Sequence, residues 1–350
     1  MTLSIVRNAP LQTLNTFGVA ASAGTLITID HQFQLAELRA ALADGPAPFV
    51  LGGGSNVLFT ADVPGTILRV RLRGIRILSD DARGVIVETA AGEDWDGLVR
   101  WSLAQRCYGL ENLALIPGTA GAAPIQNIGA YGVELSDVFD SLDAVDLESG
   151  NSATLSADDC AFGYRNSVFK RPGGPRWLVL RVRLRLSRTA HLRLDHGDIG
   201  RSLNTAGVRA PTPYDVAEAV RRVRRAKLPD PAQLGNAGSF FKNPIVSNER
   251  AGQLLDQHPD APNYPALLDG IAARKLSAAW LIEACGWKGV RDGDAGVDAR
   301  HALVLVNHGQ ATGAQLIGLA ARIRASVQER FGIRLEAEAV LLPTPDGWKP

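Results

Sequence analysis

The stretch from Asn112 to Val133 carries no charged residue, and no other feature limits the possible folds of this chain so strongly. A run of this kind is long enough to cross a bilayer, which takes about 20 residues. Pro117, Pro124 and the glycines at 118, 121, 129 and 132 rule out a continuous lipid-facing helix, because lipid leaves broken backbone hydrogen bonds unsatisfied. The core of the run, Ile116 to Gly132 (IPGTAGAAPIQNIGAYG), is too long for a simple turn and is built from small residues. Its backbone must approach something closely. Gly118, Thr119, Gly121, Gln126, Asn127 and Gly129 can offer amides and side-chain donors to a large planar cofactor with phosphates; a densely packed structural loop is the other reading.

A second glycine segment precedes it. Phe49, Val50 and Leu51 run into Gly52, Gly53, Gly54, Ser55 and Asn56, and the chain then returns to apolar Val57, Leu58 and Phe59. Without Cβ atoms the backbone can turn its N–H groups around an anion such as a pyrophosphate. The segment lacks the third glycine of GxGxxG and the lysine of a P-loop, so an ordinary tight turn stays open.

Three further segments carry chemical groups in apolar settings. In Gly235 to Pro244 (GNAGSFFKNP), Ser239 lies between Gly238 and two phenylalanines. It does not match GxSxG, which favours proton donation over a hydrolase nucleophile. In Phe162 to Phe169 (FGYRNSVF), Tyr164 and Arg165 sit among apolar neighbours, where an arginine seeks a carboxylate or phosphate or closes an internal salt bridge. In Leu335 to Leu342 (LEAEAVLL), strand alternation puts Glu336, Glu338 and Val340 on one face. A carboxyl buried there would be held protonated; glutamates at an exposed strand edge would not.

The 350 residues imply two or three domains, and 46% hydrophobic with 21% charged residues fits a globular protein. Mixed strand and helix signals point to α+β architecture. Arg69 and Arg71 alternate with apolar residues from Ile67 to Leu72, and Arg181, Arg183 and Arg185 do so from Leu178 to Leu186, giving half-buried strands with a basic face that is either solvated or phosphate-binding. Val216, Val220 and Val223 have helical spacing, with Arg221, Arg222, Arg224, Arg225 and Lys227 on the other faces, so a surface helix is expected that ends before Pro229. Lys227 at its end can meet a substrate phosphate. A Pro- and Gly-rich segment, Ala206 to Pro213, marks the main boundary.

Lysine plus arginine number 37 against 36 acids, which leaves no global field for nucleic acid or an anionic membrane. Cys107, Cys160 and Cys285 form no CxxC pair and fit a reducing compartment, and the start of the chain lacks a secretory pattern, so a cytoplasmic location is expected. The six histidines show no metal-binding spacing, and no metal is expected.

In sequence order these segments resemble the MurB family, the UDP-N-acetylenolpyruvoylglucosamine reductases of bacterial cell-wall synthesis. The resemblance runs through Asn15 to Gly18 (NTFG), LGGGSNVLF, Gly109 to Leu135 (GLENLALIPGTAGAAPIQNIGAYGVEL), FGYRNSVF, Lys227 to Pro231 (KLPDP) and GNAGSFFKNP. Ala261 to Pro265 (APNYP), His301 to Asn307 (HALVLVN) and the terminal LEAE are similar to the longer of the family's two subtypes.

The resemblance implies an oxidase-type FAD-binding region of two α/β subdomains, about 15–75 and 76–205, then an α+β substrate-binding domain at 206–335 and a strand and tail at 336–350 that return to the active site. It implies non-covalent FAD contacting residues 52–56 and Pro117, Gly118, Thr119, Gly121, Ile125, Gln126, Asn127 and Gly129. NADPH would reduce the flavin, and UDP-N-acetylglucosamine enolpyruvate would then enter the same cleft, in a protein expected to be monomeric. Arg165 and Glu338 would face the substrate carboxylate and Ser239 would give the proton, while Tyr164, Lys227, Asn243 and Tyr264 would orient the substrate. Where close relatives have tyrosine before Gly-Asp in a loop over the substrate, this chain has His196 before Gly197 and Asp198. Another oxidase-type flavoenzyme, acting on a hydroxy acid or sugar lactone, is the alternative function. A binding module without turnover is a third reading, which intact Arg165, Ser239 and Glu338 oppose.

Overall fold

A computed structural model describes residues 2–43, 45–171 and 176–348. The chain divides into two compact units whose segments interleave. Unit 1 holds residues 1–9, 23–54 and 64–226, and unit 2 holds 10–22, 55–63 and 227–350. The sequence reading drew contiguous blocks with a boundary at 206, whereas the helix Pro213–Lys227 is counted with unit 1 up to Ala226.

Unit 1 contains two sheets. One has the order Ser4–Pro10, Ser22–Ile29, Val63–Val70, Phe49–Leu51, with Phe49–Leu51 parallel to its neighbour in the register Phe49 to Ile67. The other is antiparallel, in the order Ser152–Ser156, Phe139–Asp146, Trp177–Leu186, Gly84–Ala90, Ile75–Asp81. Along Trp177–Leu186 the apolar residues Leu178, Leu180, Val182, Leu184 and Leu186 are buried in alternation, as the period of two requires. Phosphate binding by the intervening arginines is overturned. Arg183 donates to Glu88 at 3.0 Å and to Asp143 at 2.5 Å, Arg185 pairs with Asp140, and Arg181 donates to Gln32 at 2.7 Å. The charges of Arg183 and Arg185 are answered within the sheet, and Arg181 also stands 3.8 Å from Glu88 there.

The helix Pro213–Lys227 also differs from a plain surface helix. Val216 and Val220 are fully buried as their spacing requires, but Arg221 is buried with them, only 5% exposed. Unit 1 supplies a carboxylate at depth, Asp96, for this guanidinium to reach.

Unit 2 is built on a sheet ordered Gly235–Ser239, Val304–Asn307, Ala295–Val297, Arg291–Asp292. A second sheet is ordered Ile245–Ser247, Ile271–Leu276, Asn263–Leu268, and Val57–Phe59 lies parallel to Val340–Leu342. The long helix Gly313–Phe331 starts at Thr312, whose hydroxyl caps the Gln315 amide, and stops at Gly332 in the left-handed region. Gly313 lies so close to the strand Val57–Phe59 that a Cβ would stand 1.9 Å from the Phe59 carbonyl oxygen.

The NTFG motif is a scaffold here. Asn15 donates to the Leu11 and Val19 carbonyls and accepts the Val19 amide, closing a loop under Gly235, where a Cβ would stand 2.3 Å from the Phe17 oxygen. The amide of Asn236 donates to Thr16 at 3.0 Å, which fixes the start of the strand leading to Ser239.

Candidate active site

In unit 1 the two glycine segments meet backbone to backbone. A Cβ on Gly53 would lie 2.9 Å from the Gly118 Cα, and one on Gly52 would lie 2.7 Å from the Thr119 hydroxyl. Gly54 and Gly118 have φ of 65° and 120°, which side-chain-bearing residues rarely adopt. Among the described residues the N–H groups of Gly118 and Thr119 have no protein acceptor, while those of Ala120 and Gly121 are tied to Glu93 and Ala91 at 2.8 Å. The result is a narrow cradle of close-packed main chain with two amides that no described protein group accepts, which fits the phosphates of a dinucleotide cofactor.

The approach to this cradle is held by charged groups that the sequence reading missed. Asp96 accepts the Leu115 amide at 2.7 Å and Arg221 at 2.8 Å, while the Leu115 carbonyl accepts Arg224 at 3.1 Å. Leu115, with φ of 59°, is thereby gripped at both ends of a strained conformation, one step before the IPGT turn. Burial opposes ionisation of Asp96, but hydrogen bonds from Arg221 and Leu115 overcome it and hold the carboxyl below its ordinary range. Burial pulls the Arg224 guanidinium below its ordinary value, against the opposing Tyr131 phenol and Asp96. The sequence signal available was the arginine run itself, and nothing in its spacing distinguishes Arg221 and Arg224 from their solvated neighbours.

Asn127 is a structural pivot. It is 1% exposed, its amide nitrogen donates to Glu134 at 2.8 Å, to Ser136 and to Gly163, and its oxygen accepts the Ser136 amide. Protein partners thus occupy that carboxamide. Ile125 and Gly129 are likewise tied by their carbonyls, to the Ser167 hydroxyl at 2.6 Å and the Arg165 guanidinium at 2.8 Å.

Tyr164 and Arg165 form the tip of a tight turn closed by reciprocal bonds between Gly163 and Asn166. Arg165 adopts φ of 51°, and its guanidinium lies 5.5 Å from the Tyr164 ring centre. Its bond to Gly129 docks the turn against the cradle loop. Tyr131 meets His196 edge-on at 5.1 Å, and burial raises its phenol above the ordinary value, with the nearby Arg224 opposing. Unit 1 therefore brings together the cradle, Tyr164, Arg165 and His196.

Ser239, Glu338, Lys227, Asn243 and Tyr264 belong to unit 2. Ser239 ends the strand Gly235–Ser239 opposite Val304, after an irregularity at Gly238, whose φ is 69° and whose amide is held by the Asn236 side chain at 2.9 Å. Phe240 and Phe241 are buried, which leaves the serine at the edge of the apolar core. Glu338 lies beside it: its amide donates to the Phe240 carbonyl at 2.7 Å, and Phe241 bridges to Ala337.

The alternation expected for LEAEAVLL is corrected at this point. Only Val340–Leu342 is regular strand; Glu336 is exposed and pairs with Lys242 at 3.2 Å, while Glu338 is half-buried. Ala337 between them bridges to Phe241, and the bend falls at Glu338 and Ala339; the two carboxylates differ in exposure.

Asn243 accepts the Ala278 amide at 2.9 Å, at the start of the helix Ala278–Ala284. Tyr264 is 54% exposed on its strand. His301, which sequence reading considered only as a metal ligand, lies near Lys227: burial first, then the Lys227 ammonium, lowers its pKa, with Asp298 opposing. The His301 Nδ1 accepts the Leu303 amide at 3.3 Å, which leaves the proton of the neutral ring on Nε2. Among the described residues no group of three His, Cys, Asp or Glu is placed to hold a metal, and no helix is long and apolar enough to cross a membrane.

Comparison with known proteins assigns this geometry. Residues 30–156, which contain the cradle, match the FAD binding domain family, and the chain is a flavoprotein oxidoreductase of α+β architecture. Residues 230–342 match the family described as UDP-N-acetylenolpyruvoylglucosamine reductase, C-terminal domain.

A relative of that name from Chromobacterium violaceum is 53% identical over 345 residues, covering 98% of this chain and 100% of the relative. One from Pseudomonas aeruginosa is 52% identical over 342 residues, covering 97% and 99%. The crystal structure of UDP-N-acetylenolpyruvylglucosamine reductase (MurB) from Thermus caldophilus superposes with a TM-score of 0.65 at 26% identity, covering 97% of this chain and 99% of that one. The chain belongs to the UDP-N-acetylenolpyruvoylglucosamine reductase family.

Proposed function

We propose that Arg165, Ser239 and Glu338 carry, in this chain, the FAD-dependent reduction by NADPH of the enolpyruvyl double bond of UDP-N-acetylglucosamine enolpyruvate, giving UDP-N-acetylmuramate for peptidoglycan precursor synthesis. The observation that supports the reading is the bond from the Glu338 amide to the Phe240 carbonyl, which brings the main chain of half-buried Glu338 next to the residue that follows Ser239.

When bound, FAD would supply hydride transfer from NADPH to the vinyl methylene carbon of the substrate. The cradle amides of Gly118 and Thr119, with Gly52 to Gly54 facing them, would hold its phosphates without a covalent bond. Ser55, Pro117, Gly121 and Gln126 complete that contact.

As the methylene carbon gains hydride, negative charge develops on the substrate carboxylate and the adjacent carbon. The Arg165 guanidinium meets that carboxylate, and Glu338 shares a proton with it, so the charge is stabilised where it appears. Ser239 donates its hydroxyl proton to the adjacent carbon, completing the saturated lactyl ether, and water returns a proton to the serine oxygen. A strongly basic enolate makes even a weak acid competent. Lys227 holds the diphosphate, and Tyr164, Asn243, Tyr264 and His196 orient the sugar and nucleotide. The reading includes a cytoplasmic monomer.

The test is an anaerobic titration. Protein reduced with one equivalent of NADPH is mixed with the enolpyruvyl sugar, and recovery of the oxidised flavin band together with UDP-N-acetylmuramate is the expected result. Flavin that stays reduced until oxygen is admitted would overturn the reading.

A further inference from the structure

Asn56 closes the GGGSN segment, whose glycines shape the cradle, yet its side chain is directed elsewhere. Its amide nitrogen donates to the Glu338 carbonyl at 3.2 Å, and its own carbonyl accepts the Val340 amide at 2.9 Å. Glu338 follows the bridge between Phe241 and Ala337 and lies in a bend before the strand Val340–Leu342. Its amide donates to the Phe240 carbonyl at 2.7 Å, and its carbonyl accepts from the Asn56 side chain at 3.2 Å. Loss of the second bond removes one restraint on the main chain that carries the Glu338 carboxyl.

From this geometry we infer that Asn56 is a positioning residue for Glu338, and that its carboxamide serves the proton chemistry of the oxidative half-reaction rather than flavin affinity. The inference rests on the catalytic reading of Glu338 given above. Asparagine suits the position because it offers a donor to one carbonyl while its main chain continues the parallel pairing of Val57–Phe59 with Val340–Leu342. A residue of the same shape that cannot donate should fail. Asn56→Asp supplies that case: it retains the volume, removes the N–H and sets a carboxylate oxygen against the Glu338 carbonyl.

The experiment compares flavin-loaded wild type, Asn56→Ala, Asn56→Asp and Glu338→Gln in stopped flow. Each is reduced with NADPH and then mixed with the enolpyruvyl sugar, and FAD dissociation constants are measured in parallel. Both Asn56 variants should reoxidise at least tenfold more slowly, with Asn56→Asp the slower. The NADPH reduction rate and FAD affinity should stay within about threefold of wild type.

Reoxidation of Asn56→Asp within twofold of wild type would overturn the inference, since shape alone would then suffice. A tenfold loss of FAD affinity with normal reoxidation of the loaded protein would also overturn it, returning Asn56 to the cofactor. If Glu338→Gln itself reoxidises normally, the catalytic reading of Glu338 fails, and that outcome is distinct from failure at Asn56 alone.

Discussion

The cradle of unit 1 and the Ser239–Glu338 pair of unit 2 solve opposite problems. The cradle works by absence: Gly53 lets two main chains approach, and Gly52 lets the Thr119 hydroxyl approach, to distances that a Cβ would block. On the proposed reading the pair works by presence: a hydroxyl and a carboxyl must be aimed, and the main chain that carries each is held by bonds around it, from Asn236 to Gly238 before the serine and from Phe240 and Asn56 at the acid. Affinity for a large cofactor tolerates a distributed set of weak contacts. Proton transfer depends on one atom in one place.

The contrast is broken most severely at Ser239. Ser239→Ala should leave flavin reduction by NADPH intact and slow reoxidation by the enolpyruvyl sugar by about 10²- to 10⁴-fold, the usual worth of a positioned proton donor. Stopped-flow traces of the two half-reactions check this, and equal losses in both would show that the serine is not specific to the proton step.

Next in size is Asp96, which separates the support of the cradle from the cradle itself. Asp96→Ala leaves Arg221 buried without its deeper partner and releases the Leu115 amide, at a cost of about 3 kcal/mol in unfolding free energy. The sign with pH follows from the lowered carboxyl. Because the folded pKa lies below the ordinary 3.8, this stabilisation is present above 3.8 and disappears as pH falls through the lower folded value. Denaturation of wild type should therefore steepen on acidification through that window, and Asp96→Ala should flatten that part of the curve.

Gly53→Ala tests the cradle alone. A methyl 2.9 Å from the Gly118 Cα forces two main chains apart, costing about 1 to 3 kcal/mol, or roughly five- to 150-fold in FAD affinity. Flavin content per chain should drop, while the loaded fraction should still reoxidise at the wild-type rate. A loaded fraction slowed as much as Ser239→Ala would erase the distinction between the two regions.

What could be read in advance follows the same divide. Glycine is demanded locally, by close approach and positive φ, so GGGSN and IPGTAG announce the cradle from residue type alone. The grip on Leu115 joins Asp96 to Arg221 across 125 residues, and no local pattern records such a bond. Asn127 shows the same reach: inside a cofactor-like segment its carboxamide is held in part by Gly163, 36 residues away. For Glu336 and Glu338, alternation implied similar surroundings; their unequal exposure accompanies pairing with residues 240–242, about 95 positions earlier, which no local pattern records. Type-specific backbone demands are legible in sequence, whereas long-range polar contacts are fixed by the tertiary fold.

The smallest expected effect lies at His196, one of the unit 1 side chains that the proposed reading turns toward the substrate. Its ring meets Tyr131 edge-on at 5.1 Å with an interplanar angle of 82°, and its Nδ1 stands 3.9 Å from Asp198. An aromatic edge contact is worth about 0.5 to 1.5 kcal/mol, so His196→Ala should raise KM for the enolpyruvyl sugar by roughly two- to tenfold. FAD affinity and flavin reduction should not change, because Tyr131 stays tied to Arg224. His196→Phe separates the two properties of the ring: it keeps the edge contact and removes both nitrogens. Recovery of wild-type KM in that variant would mean that the ring only braces Tyr131. A KM as high as in His196→Ala would assign the effect to a hydrogen bond with the substrate. An unchanged KM in both variants would leave unit 1 with Tyr164 and Arg165 as its side chains toward the substrate.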